Sequence, residues 1–156
     1  MDEKVLRELI ITFLAEHSVL TLATRHDDAP HAVSLMYASR DLTLYWVSAP
    51  DTRHSRDLEK DPRASVAIAR QYEDYTEIKG SQMGGSAARV DAPEEKQQAL
   101  DLLTAKFLFF GQLREGAAAA TGPLAGAAVY RFDPEAVIYI DNGRGFGFRH
   151  TLVPGR

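Results

Sequence analysis

Apolar residues recur at helical spacing along the first stretch of the chain, with Val5, Leu6, Leu9, Ile10, Phe13 and Leu14 falling on one stripe between Asp2 and His17. The pattern predicts an amphipathic first helix with that stripe on the core. The period then changes. Val19 to Thr24 reads as a strand, Asp27-Asp28-Ala29-Pro30 as a turn, His31 to Tyr37 as a second strand, and Leu42 to Val47, beyond a turn at Asp41, as a third. Ala49-Pro50-Asp51 breaks the third strand. Thr52 to Lys60 then reads as a short helix capped by Thr52 or Asp51, with Pro62 preventing its continuation.

Small and branched residues from Arg63 to Ala69 predict another strand. Tyr75 to Val90 is interrupted by Gly80, Gly84 and Gly85, the mark of strand pairing with a bulge or a close backbone approach. Asp91-Ala92-Pro93-Glu94 has the form of a capping box with an early proline, and the helix it opens is expected to end near Gly111. Gly116 to Gly126, rich in alanine and glycine, reads as a loop, although the alanines from Ala117 are able to extend a helical turn. Ala127 to Phe132 and Ala136 to Ile140 read as two strands joined at Asp133-Pro134, followed by a glycine-punctuated turn from Asp141 to Phe148. Short strands at even spacing with few helices predict a mainly β fold, a small antiparallel barrel with flanking helices.

Composition narrows the chemistry. At 156 residues the chain is the length of one ordinary domain, and residues 1–156 are read as one. Cysteine is absent, which excludes disulfides, thiolate metal sites and cysteine nucleophiles. With 18 basic and 22 acidic residues the formal charge is −4, a poor balance for binding the phosphate backbone of a nucleic acid. Met1-Asp2-Glu3-Lys4 lacks the basic start of a secretory signal, and the apolar run after it is too short to span a bilayer, so the expectation is a cytoplasmic protein without a membrane partner.

The most informative stretch is Thr52-Arg53-His54, where a hydroxyl, a guanidinium and an imidazole follow one another at a predicted helix start. Free N–H groups there carry partial positive charge and stabilise an anion, to which Arg53 adds a charge-assisted hydrogen bond. The competing reading is that Thr52 only caps while Arg53 and His54 face water. The five histidines, His17, His26, His31, His54 and His150, show no metal-ligand spacing and read as surface or hydrogen-bonded side chains. No nucleophile elbow is present, and the Gly143 to Gly147 run opens no helix, so it is no dinucleotide fingerprint. Tyr45, Trp46, Phe107, Phe109 and Phe110 read as core or interface rather than a stacking platform, and because Phe107-Leu108-Phe109-Phe110 covers more than one helix face, part of it is expected against a partner subunit.

The order of these segments resembles a known family. Pro30-His31-Ala32-Val33-Ser34-Leu35, Leu44-Tyr45-Trp46-Val47-Ser48, Thr52-Arg53-His54 and Asp61-Pro62-Arg63-Ala64-Ser65-Val66 together resemble the FMN-binding split barrel of the pyridoxamine 5′-phosphate oxidase-like superfamily. Ile78-Lys79-Gly80-Ser81-Gln82 and the run from Asp141 to Gly147 are similar to the YhbP-like bacterial group within it. The resemblance implies a six-stranded antiparallel split barrel, a homodimer with flavin at the subunit interface, and an FMN-dependent oxidoreductase acting on a small molecule. The alternatives are a non-catalytic flavin-binding module, or the same fold using deazaflavin F420 or haem.

By position, Ser48, Thr52, Arg53 and His54 would hold the FMN phosphate, with Val47 beside them on the same strand. Val33, Ser34 and Leu35 would line the isoalloxazine edge, and Gln82 would supply a polar contact from the later strand. The chain departs from the full oxidases in carrying Ala32 and Tyr37 where they have basic residues, His54 for a lysine, and no recognisable C-terminal Trp and Arg region. No acid or base stands out as catalytic.

Overall fold

The computed structural model describes residues 1–155. Its eight strands are β1 (Val19–His26), β2 (Ala29–Met36), β3 (Ala38–Arg40), β4 (Thr43–Ser48), β5 (Arg63–Ala69), β6 (Lys79–Arg89), β7 (Ala128–Asp141) and β8 (Arg149–Leu152). All pair antiparallel in one sheet of order β2-β1-β5-β6-β7-β4-β3, with β8 added on β7. The two strands at opposite ends of that path, β2 and β3, are separated in sequence only by Tyr37. A sheet whose edges are tethered by one residue must curl on itself, and because β2 and β3 do not pair, the resulting barrel is split.

The inner face of the curl holds the main core. Leu20 and Leu22 of β1, Leu44 and Trp46 of β4, Val66 and Ile68 of β5 and Tyr130 and Phe132 of β7 are all at most 2% exposed. The predicted first helix is present as α1 (Glu3–Glu16), capped by Asp2, and it seals one end of the barrel with Leu6, Ile10, Phe13 and Leu14. Its last turn carries no basic residue. Lys106 supplies one from a distance, donating to the carbonyls of Leu14 and His17. The second helix, α2 (Arg53–Lys60), packs on β1, β2 and β6. Helix α3 (Pro93–Lys106) covers the outer face of β4 and β7, where Ala99 packs with Tyr45, Val90 and Val129.

Several boundaries differ from the sequence expectation. The sheet has eight strands where six were expected, because β3 breaks from β2 at the buried Tyr37 and Arg149–Leu152 returns to pair with β7. Ala127 to Phe132 and Ala136 to Ile140 are one 14-residue strand. The register shifts between Gly84 and Gly85, leaving Glu135 without a partner, and Pro134, which has no N–H to give, lies opposite Gly85, a residue without a side chain. The capping box at Asp91 does not form, for Ala92 is the N-cap and makes no side-chain bond. The helix ends at Lys106, and two short helices follow, α4 (Leu108–Leu113) and α5 (Gly116–Thr121), the latter where a loop was the main expectation. Among the described residues, no helix is long and apolar enough to cross a membrane.

Candidate functional site

The end of β4 and the start of α2 form the polar centre that Thr52-Arg53-His54 suggested. Thr52 is the N-cap in extended conformation, its hydroxyl accepting from the Ser55 N–H at 3.4 Å and donating to the Ala49 carbonyl at 3.0 Å. His54 is buried, with Nε2 2.8 Å from Ser48 Oγ and 3.2 Å from Thr52 Oγ1. Ser55 Oγ joins the cluster 2.8 Å from Thr52 Oγ1. The structure therefore brings Ser48, Thr52 and His54 into one hydrogen-bonded group, with His54 turned inward and Arg53 outward.

Arg53 is 46% exposed, and its Nε stands 4.0 Å from Asp57 Oδ2, one helical turn on. Asp57 is 1% exposed and accepts from the Thr24 hydroxyl at 2.8 Å. His26 Nδ1 lies 3.3 Å from Asp57 Oδ1 without the alignment of a hydrogen bond, so that oxygen is unpartnered among the described residues. The sequence reading missed Thr24, His26 and Asp57. The four-residue spacing of Arg53 and Asp57 was a usable signal. The approach of the β1–β2 hairpin was not, being long-range.

The first turn of α2 contains no acid, whereas α1 carries Glu3 and α3 carries Glu94 and Glu95 in theirs. A positive helix end with a cation beside it and no carboxylate within the turn is the electrostatic setting in which an external anion is stabilised. The residues present fit the phosphate of a nucleotide cofactor on that ground.

The remaining candidates divide between two faces. Val33 and Leu35 face inward and pack against the core, beside Leu22 and Leu20 of β1. Ser34 and Gln82 face outward on one transverse row, Ser34–Thr21–Ala67–Gln82, read from strand pairing. The next row is Ala32–Ala23–Ser65–Gly84–Ala136, so the outer face is paved with small uncharged residues around a shallow cavity of about 410 Å³. Val47 sits apart from Ser48, on the opposite face of β4, against Leu100 and Leu102 of α3.

Burial, with the nearby His31 charge second, holds the His54 imidazole below its ordinary value of 6.5, while Asp57 opposes the shift. A depressed histidine is neutral in the folded chain and takes up a proton more readily when unfolded. Stability is therefore expected to fall as the pH drops below about 6.5, over a window that ends at the lower folded-state value. Melting curves between neutral and mildly acidic pH check this, and His54→Gln should flatten that part of the slope. An unchanged slope in the variant would assign the acid sensitivity to another group.

The sequence profile described as pyridoxamine 5′-phosphate oxidase matches residues 6–141. Among curated proteins, the UPF0306 protein plu4501 from Photorhabdus laumondii is 26% identical over 91 residues, covering 57% of this chain and 64% of that protein. A haem-binding protein from Mycobacterium smegmatis superposes with a TM-score of 0.69 at 23% identity, over 92% of this chain and 55% of that one. An FAD-binding protein from Mesorhizobium loti superposes with a TM-score of 0.63 at 22% identity, over 83% of this chain and 90% of that one. This chain thus spans less than two thirds of the length of the first two. The similar structures share the split-barrel fold, and the profile match takes in α1 from Leu6 onward, the whole strand path from β1 to β7 and the α2 cluster. The chain belongs to the pyridoxamine 5′-phosphate oxidase family.

Proposed function

We propose that this protein binds FMN and acts as a flavin-dependent oxidoreductase on a small molecule, as a homodimer in the cytoplasm. The observation that carries the reading is the start of α2, whose first turn lacks an acid and presents Arg53 beside a Thr52 cap. Arg53 and the first N–H groups of the helix would hold the phosphate, and Ser48 and His54 would complete the polar wall behind it. His54 would be neutral before the anion arrives, and a neighbouring dianion favours its protonated form. Bound flavin supplies the hydride or electron transfer, while the chain supplies binding, orientation and exclusion of water. A second copy is proposed on the outer face that carries Ser34 and Gln82, because small uncharged side chains allow close sheet approach.

The haem-binding and FAD-binding proteins with this fold support a cofactor role for it. One observation of this chain favours haem as a second reading. His17 Nδ1 lies 2.7 Å from the Phe13 carbonyl, which fixes the proton on that nitrogen and leaves the Nε2 lone pair buried and unpartnered among the described residues.

Titration of the purified protein with FMN and, separately, with haemin tests both. The expected result is saturable quenching of flavin fluorescence at one FMN per chain, on a particle that sediments as a dimer. A Soret band with haemin and no response to FMN would sink the flavin reading. Turnover with NAD(P)H well above that of free flavin distinguishes an enzyme from a binding module.

A further inference from the structure

A second cavity, of about 470 Å³, lies between the outer face of β4 and β7 and the helices α3 to α5. Its volume is within the usual range of roughly 300–1,000 Å³ for small-molecule sites. The floor is apolar, made by Val47, Leu100 and Val129, and Leu124 faces them from the far wall. Three cations from three different elements, Arg89 of β6, Lys96 of α3 and Arg114 of the turn after α4, line the same opening.

Like charges drawn to one opening repel one another, and each needs a counter-charge. Arg114 has one, bonding Asp101 at 3.2 Å together with the Leu100 carbonyl and the Thr104 hydroxyl. Among the described residues Arg89 is held only by Asp91, at 3.5 Å and on the exposed surface. Lys96 forms no side-chain ion pair or hydrogen bond among the described residues. The far wall is lightly fixed: α5 buries no residue, and the positive-φ glycines of this region are Gly116, at the start of α5, and Gly126, five residues past its end. An apolar floor, a surplus of positive charge at the rim and a wall that gives way at little cost describe a site for one class of ligand.

We infer that this cavity binds a small anionic amphiphile, an acyl or aryl carboxylate whose apolar body lies on Val47, Leu100 and Val129 and whose head pairs with Lys96 and Arg89. The site is separate from the start of α2 and does not depend on the flavin reading, since Val47 and Ser48 face opposite sides of β4. Its apolar part draws on burial of hydrocarbon, and its selectivity on the charge at the rim.

Calorimetric titration with decanoate, below its micelle concentration, and with decanol as the uncharged control tests the inference. Decanoate should bind saturably, with decanol at least about tenfold weaker. Lys96→Glu should weaken decanoate by a similar factor, and Leu124→Trp, which fills the cavity, should abolish binding while leaving the FMN titration unchanged. Absence of saturable decanoate binding to the native chain would overturn the proposal. So would equal binding of decanol, undiminished binding by the folded Leu124→Trp variant, or competitive displacement of decanoate by FMN.

Discussion

Arg53→Ala is expected to weaken FMN binding by about 1.5–3 kcal/mol, roughly 10- to 150-fold, the worth of a hydrogen bond to a charged group. Arg53 is nearly half exposed and reaches Asp57 only at 4.0 Å, so it contributes little to packing and the variant should melt with the native chain. Its position explains why function and stability separate here. The guanidinium stands at the positive end of α2, where it repels the helix dipole, and the carboxylate that offsets it, the buried Asp57 one turn on, is 4.0 Å away. A bound phosphate turns that repulsion into an attraction. Arg53→Lys should recover only part of the affinity, because an ammonium keeps the charge and loses the planar fork. Fluorescence titration at two salt concentrations reads both effects. Unchanged affinity in Arg53→Ala would place the phosphate elsewhere.

Gly85→Ala is expected to destabilise the fold by about 3 kcal/mol, whereas Gly84→Ala, one residue earlier, should be close to neutral. A Cβ on Gly85 would lie 2.2 Å from the Asp133 carbonyl oxygen and 2.9 Å from Pro134 Cα, both backbone atoms of the paired strand. Neither can rotate away, so relief requires moving β6 off β7 at the bulge that allows Pro134 into a central strand. A Cβ on Gly84 meets nothing within 4 Å, because that residue faces outward. Denaturant unfolding of the two variants side by side checks the contrast. Equal stabilities would mean the bulge relaxes at no cost.

These two glycines show where sequence reading stops. The pair signalled a bulge or a close approach, and that was correct. Which of the two makes the approach depends on Asp133-Pro134, nearly fifty residues later, which read as the end of one strand and the start of another. The same limit governs the site. Thr52 as a cap and the helix from Arg53 to Lys60 were legible, because capping and period are local. That His54 turns inward to Ser48 while Arg53 stays outside was not, nor that Thr24 and His26 arrive over Asp57 from a hairpin. Val47 and Ser48 were read as neighbours in one site, yet adjacent residues on a strand face opposite ways.

Alternation and helical period determined the element types, the antiparallel β class and the Thr52-capped start of α2, since each is written in residues near one another in the chain. The curl of the sheet, its filled interior, the stretch of outer face left open across β1, β5 and β6, and the cavity beneath α3 to α5 were decided only in three dimensions. They follow from pairings such as β1 with β5 and β6 with β7, whose registers are set by packing between segments far apart in sequence.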